Sequence, residues 1–597
     1  MEKNTVLAIV FSTILIIGWA VLMPLVQNKN KVNVESPEVA KAIEQTAEKT
    51  TEAEVSENLS DNAEAEEEEE PEIVLTEQFN TITTKHAEIK FTSKGGDILS
   101  YKLINHKDID TKDGVQISDC VIDANRTCAL NFGSAADSID NTIYSVETEG
   151  NTNTETQKII FTGTKKINGK KYFVRKEYTI VNDEYMFKLD VKIHTDANGL
   201  NVNGAAYTLR TSPQIGPRYN PKSDRYENRQ FLPFNGKKVK RIILGKNQFN
   251  RWEKEFVWGA TAGKYFEEII IPTDTSIIGN VYYSSKIEKD DYANAQAFFE
   301  RRSFTGSDIN DSYYCYFGPR NEKELKIYNT ADKNYFKLSG NRLSESLQSS
   351  GWLSWLEAIL KWCLEMLHKI IPNWGICIII LTIILKLIMF PLSKKQSLGT
   401  LKMQQLQPKM QALQKKYAND QQRLQQEMSK LYQEAGYNPA SGCLPILFQF
   451  LILFAMFNLF NNYFDFRGSE FIPGWISDLS KGDSVYKFKK SIGLFGENLR
   501  LLPIIYVGTQ ILSSKITQMQ GMSTAQNKKS TQMLMMYGLP LMFFFMFYNA
   551  PSGLLLFWLT SNILAIVQQV IINKMMKKKR EELGQTQPVI AKGKNKR

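Results

Sequence analysis

Trp374–Leu392 reads WGICIIILTIILKLIMFPL, nineteen residues that carry a single charge, Lys386. About 20 helical residues cross the hydrocarbon core of a bilayer, so this stretch predicts a membrane-spanning helix. Four more apolar runs follow it: Cys443–Phe460, Leu501–Ser514, Met533–Tyr548 and Leu554–Ile572. Leu501–Ser514 is short, and is kept as a span because the alternation of sides requires it. Near the start, Val6–Val26 is charge-free and no small-x-small cleavage pattern follows it. This predicts an uncleaved signal anchor over 1–28. The expected class is a polytopic α-helical membrane protein with six spans, five of them forming a core over 372–573.

Charge between the runs sets the expected orientation, because short loops rich in Lys and Arg stay in the cytoplasm. The 393–440 loop holds eight basic and three acidic residues, and the 515–530 loop three basic and none acidic. The tail over 574–597 is strongly basic, whereas 461–499 is balanced. Both termini and the two basic loops are then expected in the cytoplasm of a bacterial inner membrane. The region between the first and second spans is expected outside, in the periplasm. The composition excludes a simple soluble enzyme and a disulfide scaffold, with only six Cys in 597 residues.

That outer region has two parts. Residues 29–72 are acidic, with 15 acidic and three basic residues between 31 and 72 against a net charge of +10 for the whole chain. Such a segment cannot bury enough apolar surface to order itself, so a disordered linker is expected. Residues 73–343 read as a large extracytoplasmic antiparallel β-sandwich. Tyr185, Phe187, Leu189, Val191 and Ile193 alternate with Met186, Lys188, Asp190, Lys192 and His194, the period of a half-buried strand. Asn168-Gly169 between two such runs predicts a tight hairpin; Gly95-Gly96 and Asn182-Asp183 are further turn candidates. Cys120 and Cys128 are candidates for a disulfide. Residues 344–371 carry Trp352, Trp355, Leu356, Ile359, Leu360, Cys363 and Leu367 at helical spacing. They predict an amphipathic helix in the outer membrane interface.

A search for chemistry finds four scattered histidines and no CxxC, HExxH, GxSxG, phosphate-loop or dinucleotide-binding pattern. No catalytic residue, cofactor or metal is expected. Lys386 is the anomaly, because a charge inside a span costs at least about 2.5–3.5 kcal/mol. Two readings stand side by side. Lys386 snorkels to the nearby interface, or it lines a polar cavity with other buried polar groups. Thr382 lies one turn before it. Gln449, Asn458, Tyr506, Thr509, Gln510, Ser552, Thr560, Ser561, Asn562, Gln568 and Gln569 supply further polar groups in the later spans.

The 393–440 loop has its own pattern. Met403, Leu406, Met410, Leu413 and Tyr417 step by three and four, a coiled-coil seam. Ala418-Asn419-Asp420 breaks it and Leu424, Met428 and Leu431 resume it. A cytoplasmic helical hairpin is expected, either self-contained or presenting a docking face.

The chain resembles the YidC-type membrane protein insertases, which have relatives in mitochondria and chloroplasts. The resemblance rests on Asn373-Trp374-Gly375, Met389-Phe390-Pro391-Leu392, the following KMQQLQPKMQAL, Asn438-Pro439 with Gly442-Cys443-Leu444-Pro445, and Pro551-Ser552-Gly553-Leu554 with Ser561-Asn562 and Gln568-Gln569. The anchor and large outer domain resemble the Gram-negative form. The resemblance implies a hydrophilic groove, open to cytoplasm and lipid, that receives nascent hydrophobic segments and releases them sideways without nucleotide hydrolysis. The arginine usual in that groove corresponds to Lys386, which keeps the charge and loses the planar fork. Thr382 and Gln449 join it, with Trp558 at the position of a substrate-contacting aromatic and Phe557 beside it. Implied partners are nascent membrane proteins, the Sec translocon with its accessory subunits, and membrane lipids. The basic tail is expected to meet the ribosome or anionic lipid. Two rival readings are a secondary transporter using Lys386 as an intramembrane ligand, and a membrane-anchored β binding protein.

Overall fold

The computed structural model describes residues 75–108, 111–119, 126–212, 215–217, 226–245, 248–285, 295–347, 351–436, 440–492, 496–518 and 534–582. The expected signal anchor, the acidic linker and the tail beyond Glu582 lie outside these residues. The chain forms two compact units that divide at Gln348/Ser349.

The first unit is rich in antiparallel sheet, as expected. Its strands are β1 (Phe79–Thr83), β2 (Ala87–Thr92), β3 (Asp97–Lys107), β4 (Gly114–Asp119), β5 (Leu130–Asn131), β6 (Ser145–Glu149), β7 (Thr156–Ile167), β8 (Lys170–Val181) and β9 (Met186–His194). They continue as β10 (Leu200–Arg210), β11 (Gln230–Phe234), β12 (Ile242–Ile243), β13 (Gln248–Trp252), β14 (Trp258–Ala262), β15 (Phe266–Pro272), β16 (Ile278–Ser285), β17 (Gln296–Phe304) and β18 (Asp308–Pro319), before a short helix α1 (Glu322–Ile327). A nine-stranded sheet runs β12-β11-β14-β15-β18-β9-β8-β7-β6. A five-stranded sheet runs β13-β16-β17-β10-β5, and β1 to β4 form the third in sequence order.

Local sequence explains these strands. In β9 the alternation is realised: Phe187, Leu189, Val191 and Ile193 are buried, while Lys192 and His194 are exposed. Ile167 pairs with Lys170 across Asn168-Gly169, whose φ angles of 50° and 76° are what a two-residue hairpin turn requires. Aromatic rings join the sheets. Phe91 on β2 meets Phe161 and Tyr178 of the large sheet at 6.1 and 5.1 Å. Phe231 of the large sheet stacks on Tyr283 of β16 at 4.9 Å. The large sheet is thus faced by both smaller ones.

The core of this unit also contains charge. Asp97 accepts from Arg126 Nε at 2.9 Å and from Lys176 Nζ at 2.5 Å, and all three side chains are buried. Lys176 donates further to the Gly95 and Cys128 carbonyls at 3.0 and 2.9 Å. Every donor of this ammonium is therefore used, which is the condition for burying one. Cys128 is a buried thiol, and Cys120, its candidate disulfide partner, lies outside the described residues.

The second unit is helical: α2 (Ser354–Ile370), α3 (Trp374–Lys416), α4 (Gln421–Glu434), α5 (Ala440–Asn462), α6 (Leu502–Gln518), α7 (Leu539–Phe547) and α8 (Ser552–Glu582). A two-stranded hairpin, β19 (Tyr486–Ile492) with β20 (Gly496–Leu499), lies between α5 and α6. Among the described residues, two helices are long and apolar enough to cross a membrane, Trp374–Gly399 and Ser552–Met575. Leu447–Asn462 and Met536–Phe547 are shorter apolar stretches.

One boundary differs from expectation. The span and the first arm of the hairpin were expected to meet near Leu392, but α3 runs through as one 43-residue helix with Pro391 and Pro408 inside it. A proline removes one backbone donor and crowds one carbonyl, yet the helix continues through both. The arm turns back at Tyr417–Asp420, where the Asp420 side chain accepts from the Arg423 amide at 2.9 Å and starts α4. Leu406 is buried and Met410, Leu413 and Tyr417 are half-buried, with Tyr432 Oη of α4 4.0 Å from Met410 Sδ. Met403 lies on the same helix, its side chain outside the described ones.

Candidate functional site

The site is built from α3, α5 and α8. Asn373 caps α3 by accepting from the Ile376 amide at 3.0 Å. Trp374 stacks on His368 at 3.8 Å and meets Tyr463 and Phe466 edge-on. A side chain at Gly375 would put its Cβ 2.1 Å from the Phe471 ring, so only glycine permits this approach. At the start of α8, the Ser552 and Gly553 amides donate to the carbonyls of Lys481 and Leu479 at 2.7 and 2.9 Å, and Ser552 Oγ donates to the Asp478 carbonyl at 2.8 Å. These motifs thus fix where two apolar helices begin.

Further along, Thr382, Leu385, Lys386, Met389, Gln449, Ile452, Phe557 and Ser561 surround a cavity of about 10 Å³. That is room for roughly one water molecule. Thr382 Oγ1 is turned onto its own helix, donating to the Ile378 carbonyl at 2.6 Å. Lys386 Nζ reaches Gln449 Oε1 at 3.4 Å, a long hydrogen bond. The Lys386 carbonyl accepts from Gln568 Nε2 at 2.7 Å, which ties α8 to α3. Among the described residues no carboxylate pairs with this ammonium.

Four of the expected site residues therefore meet: Thr382, Lys386, Gln449 and Phe557. Trp558 is turned elsewhere, against Phe547 at 4.4 Å and Tyr506 at 5.6 Å. Consecutive helical residues point about 100° apart, so Phe557 and Trp558 cannot both face Lys386. Leu385, Met389 and Ile452 also line the cavity and were not singled out; nothing in an apolar run marks which of its members face inward.

Other polar groups of the later helices find partners on neighbouring helices. Asn562 Nδ2 donates to Gln510 Oε1 at 2.7 Å. Asn458 Nδ2 donates to both carboxylate oxygens of Glu357 on α2, at 2.9 and 2.8 Å. Tyr463 Oη donates to Glu365 Oε1 at 3.0 Å. So α2 is tied to α5 by its acidic residues, and Leu360 and Leu364 form its buried side. A second apolar row, Trp355, Ile359, Trp362, Met366 and Ile370, is exposed. The expected single stripe is in fact two, because residues seven apart and those between them serve opposite faces.

Comparison with known proteins follows the two units. Residues 366–580 match the family described as 60Kd inner membrane protein, and residues 80–363 match the YidC periplasmic domain. A membrane protein insertase YidC of Treponema denticola is 42% identical over 576 residues, covering 94% of this chain and 97% of that one. The Treponema pallidum protein of the same name is 33% identical, covering 81% and 83%. A solved structure titled as an active YidC insertase with its first transmembrane domain resolved covers 83% of this chain and 93% of its own at 19% identity, with a TM-score of 0.34. These proteins are named for insertion, which is not an enzymatic activity. With identity sustained from the β unit through the last apolar helix, the chain belongs to the YidC family of membrane protein insertases.

Proposed function

We propose that Lys386 and its neighbours form the floor of a groove that accepts the outward-going end of a nascent membrane protein. One observation carries this reading: the Lys386 ammonium is the single charge in the apolar first part of α3, Trp374–Leu392, with one long hydrogen bond to Gln449 and no acidic partner among the described residues. A charge held at such cost and left without a counter-ion suits a visiting carboxylate. An acidic tail entering from the cytoplasm gains the ammonium and the Gln449 and Ser561 side chains, which bare hydrocarbon denies it. Its apolar segment then leaves along the exposed face of α3, where Ile383, Ile384, Leu387 and Ile388 lie. Burial of about 20 apolar residues in lipid drives the step, so no nucleotide is required.

In this reading the chain crosses the inner membrane six times: once at 6–26 and five times through α3, α5, α6, α7 and α8. Both termini and the α3–α4 hairpin are cytoplasmic, and the β unit is periplasmic. The exposed row of α2 rests in the outer interface, with its tryptophans at headgroup level. The hairpin receives substrate, the basic tail meets ribosomal RNA or anionic lipid, and the Sec translocon is the partner for larger clients.

Photocrosslinking tests the groove. A benzophenone side chain placed at Gln449 or Phe557 is expected to capture a ribosome-arrested client, with capture weakened when the client's acidic tail is neutralised. Capture from Leu387 with none from Gln449 or Phe557 would contradict it and leave only a lipid-side path.

A further inference from the structure

The 461–499 loop is balanced in charge as a whole, but its signs are segregated. Asp465, Glu470, Asp478 and Asp483 lie before β19, and Lys487, Lys489 and Lys490 lie in it. β19 and β20 form a sheet of two strands only. Such a hairpin is marginal in water without a surface to cover it. Yet Val485, Tyr486 and Ile492 are exposed, and the Phe488 ring lies 5.1 Å from that of Tyr486. The three lysines are exposed among them. Lysines on an open strand edge often serve only to prevent mispairing, but that role does not call for exposed Val485 and Tyr486 beside them.

The root of the hairpin is fixed at the ends of three helices. Asp483 Oδ2 accepts from the Leu501 and Leu502 amides at 2.7 and 3.0 Å, at the start of α6. Tyr548, just past α7, donates its hydroxyl to the Asn498 carbonyl at 2.8 Å and accepts from the Arg500 amide at 3.1 Å. Arg500 Nε donates to Asn549 Oδ1 at 3.1 Å, in the turn before α8. The hairpin therefore springs from the level at which α6 and α8 begin and α7 ends. In the topology proposed above, that level is the outer face of the membrane. The seven residues of β19 reach about 20 Å from this root.

We propose that the β19–β20 hairpin binds anionic phospholipid headgroups of the outer leaflet. Lys487, Lys489 and Lys490 meet the phosphates, while Val485, Tyr486 and Phe488 settle at the boundary with the acyl chains. Lysine suits this role because its flexible apolar stem lies along the lipid while the ammonium reaches the headgroup. A tyrosine ring is at home at the same depth. An anionic surface attracts each lysine that comes within a Debye length of it. The choice of leaflet rests on the six-span topology; the choice of headgroup rests on the hairpin itself.

The test places the full-length protein in nanodiscs of phosphatidylcholine alone or with one quarter phosphatidylglycerol, and follows hydrogen exchange. Amides of β19 are expected to exchange at least about fivefold more slowly with phosphatidylglycerol. High salt should reverse this, and the combined Lys487→Gln, Lys489→Gln and Lys490→Gln variant should abolish it. Exchange in α6 controls for folding and should not change. Equal exchange in the two lipids overturns the proposal, as does slowing that persists in the triple variant. A soluble acidic peptide that slows β19 in phosphatidylcholine as strongly as phosphatidylglycerol does would assign the hairpin to an acidic protein segment instead, and also overturns it. In parallel, Glu497→Cys, exposed on β20, is probed in intact cells with a membrane-impermeant maleimide and is expected to be labelled. A thiol reached only after the inner membrane is breached overturns the topology and the outer-leaflet assignment, while the nanodiscs still report headgroup binding by itself.

Discussion

Lys176 in the β unit is buried and Lys386 in the helical unit is half-buried, and their surroundings differ in kind. Lys176 has a carboxylate at 2.5 Å and two backbone carbonyls, a full set for three donors. Lys386 has one amide oxygen at 3.4 Å. A charge fully satisfied by its own chain is part of the architecture, and removing its partner breaks the fold. A charge that the chain leaves short is a liability for stability, and in the proposed function it is kept for the acidic end of a client. The comparison predicts opposite signs for mutations at the two lysine sites.

The largest effect is expected at Asp97. Asp97→Ala strands Lys176 and Arg126 in the core, a loss of about 3–5 kcal/mol by analogy with other broken buried pairs. Proteolytic susceptibility of the β unit in the full-length protein measures it, and an unchanged susceptibility would break the comparison. At the other lysine, Lys386→Leu is expected to leave resistance to unfolding in bilayers unchanged or to raise it by up to about 3 kcal/mol, while insertion of acidic-tailed clients falls. A loss of stability comparable to that of Asp97→Ala would make Lys386 architectural.

A buried carboxyl of the β unit, Glu268, sharpens the contrast through pH. Burial pushes the Glu268 carboxyl up to about 8, against hydrogen bonds from Ser118 and the Ser212 amide. Its folded value lies above the unfolded one near 4.5. Between those values the folded state holds a proton that the unfolded chain has lost. Stability from this group therefore falls as pH rises from about 4.5 to 8, by at most about 1.4 kcal/mol per unit. Glu268→Gln should flatten that slope, as read by melting of the chain at pH 5, 6.5 and 8. The smallest effect is expected at Asn458→Leu, which removes two donors from the half-buried Glu357 carboxylate and should loosen α2 from α5 by about 1–2 kcal/mol. Faster hydrogen exchange in α2 would report it.

How much of this was legible in the sequence depended on how local the cause was. The β9 alternation and the Asn168-Gly169 turn depend on near neighbours, and both were readable. Thr382 and Lys386 share a helix face by spacing alone. Gln449 was visible as a polar group in a span, but its approach to Lys386 depends on how α3 and α5 pack. Trp558 is the aromatic the resemblance points to and Phe557 only its neighbour, yet the helical turn sends Trp558 toward Tyr506 and leaves Phe557 at the cavity. The Asp97–Arg126–Lys176 cluster was invisible, since its members are 29 and 79 residues from Asp97 and look like ordinary surface charges one at a time. The meaning of Gly375 and Gly553 emerged only once Phe471 and Phe460 were seen beside them.

The central claim is that the unpaired charge of Lys386 serves insertion. The most direct measurement is protease protection of a small client with an acidic outer tail, added to liposomes containing this protein without nucleotide. The wild type and Lys386→Arg are expected to protect the client, Lys386→Ala to protect it at least about tenfold less, and protein-free liposomes not at all. Equal protection by the wild type and Lys386→Ala would contradict the role assigned to this lysine, and no protection by the folded wild type would contradict the nucleotide-free groove itself.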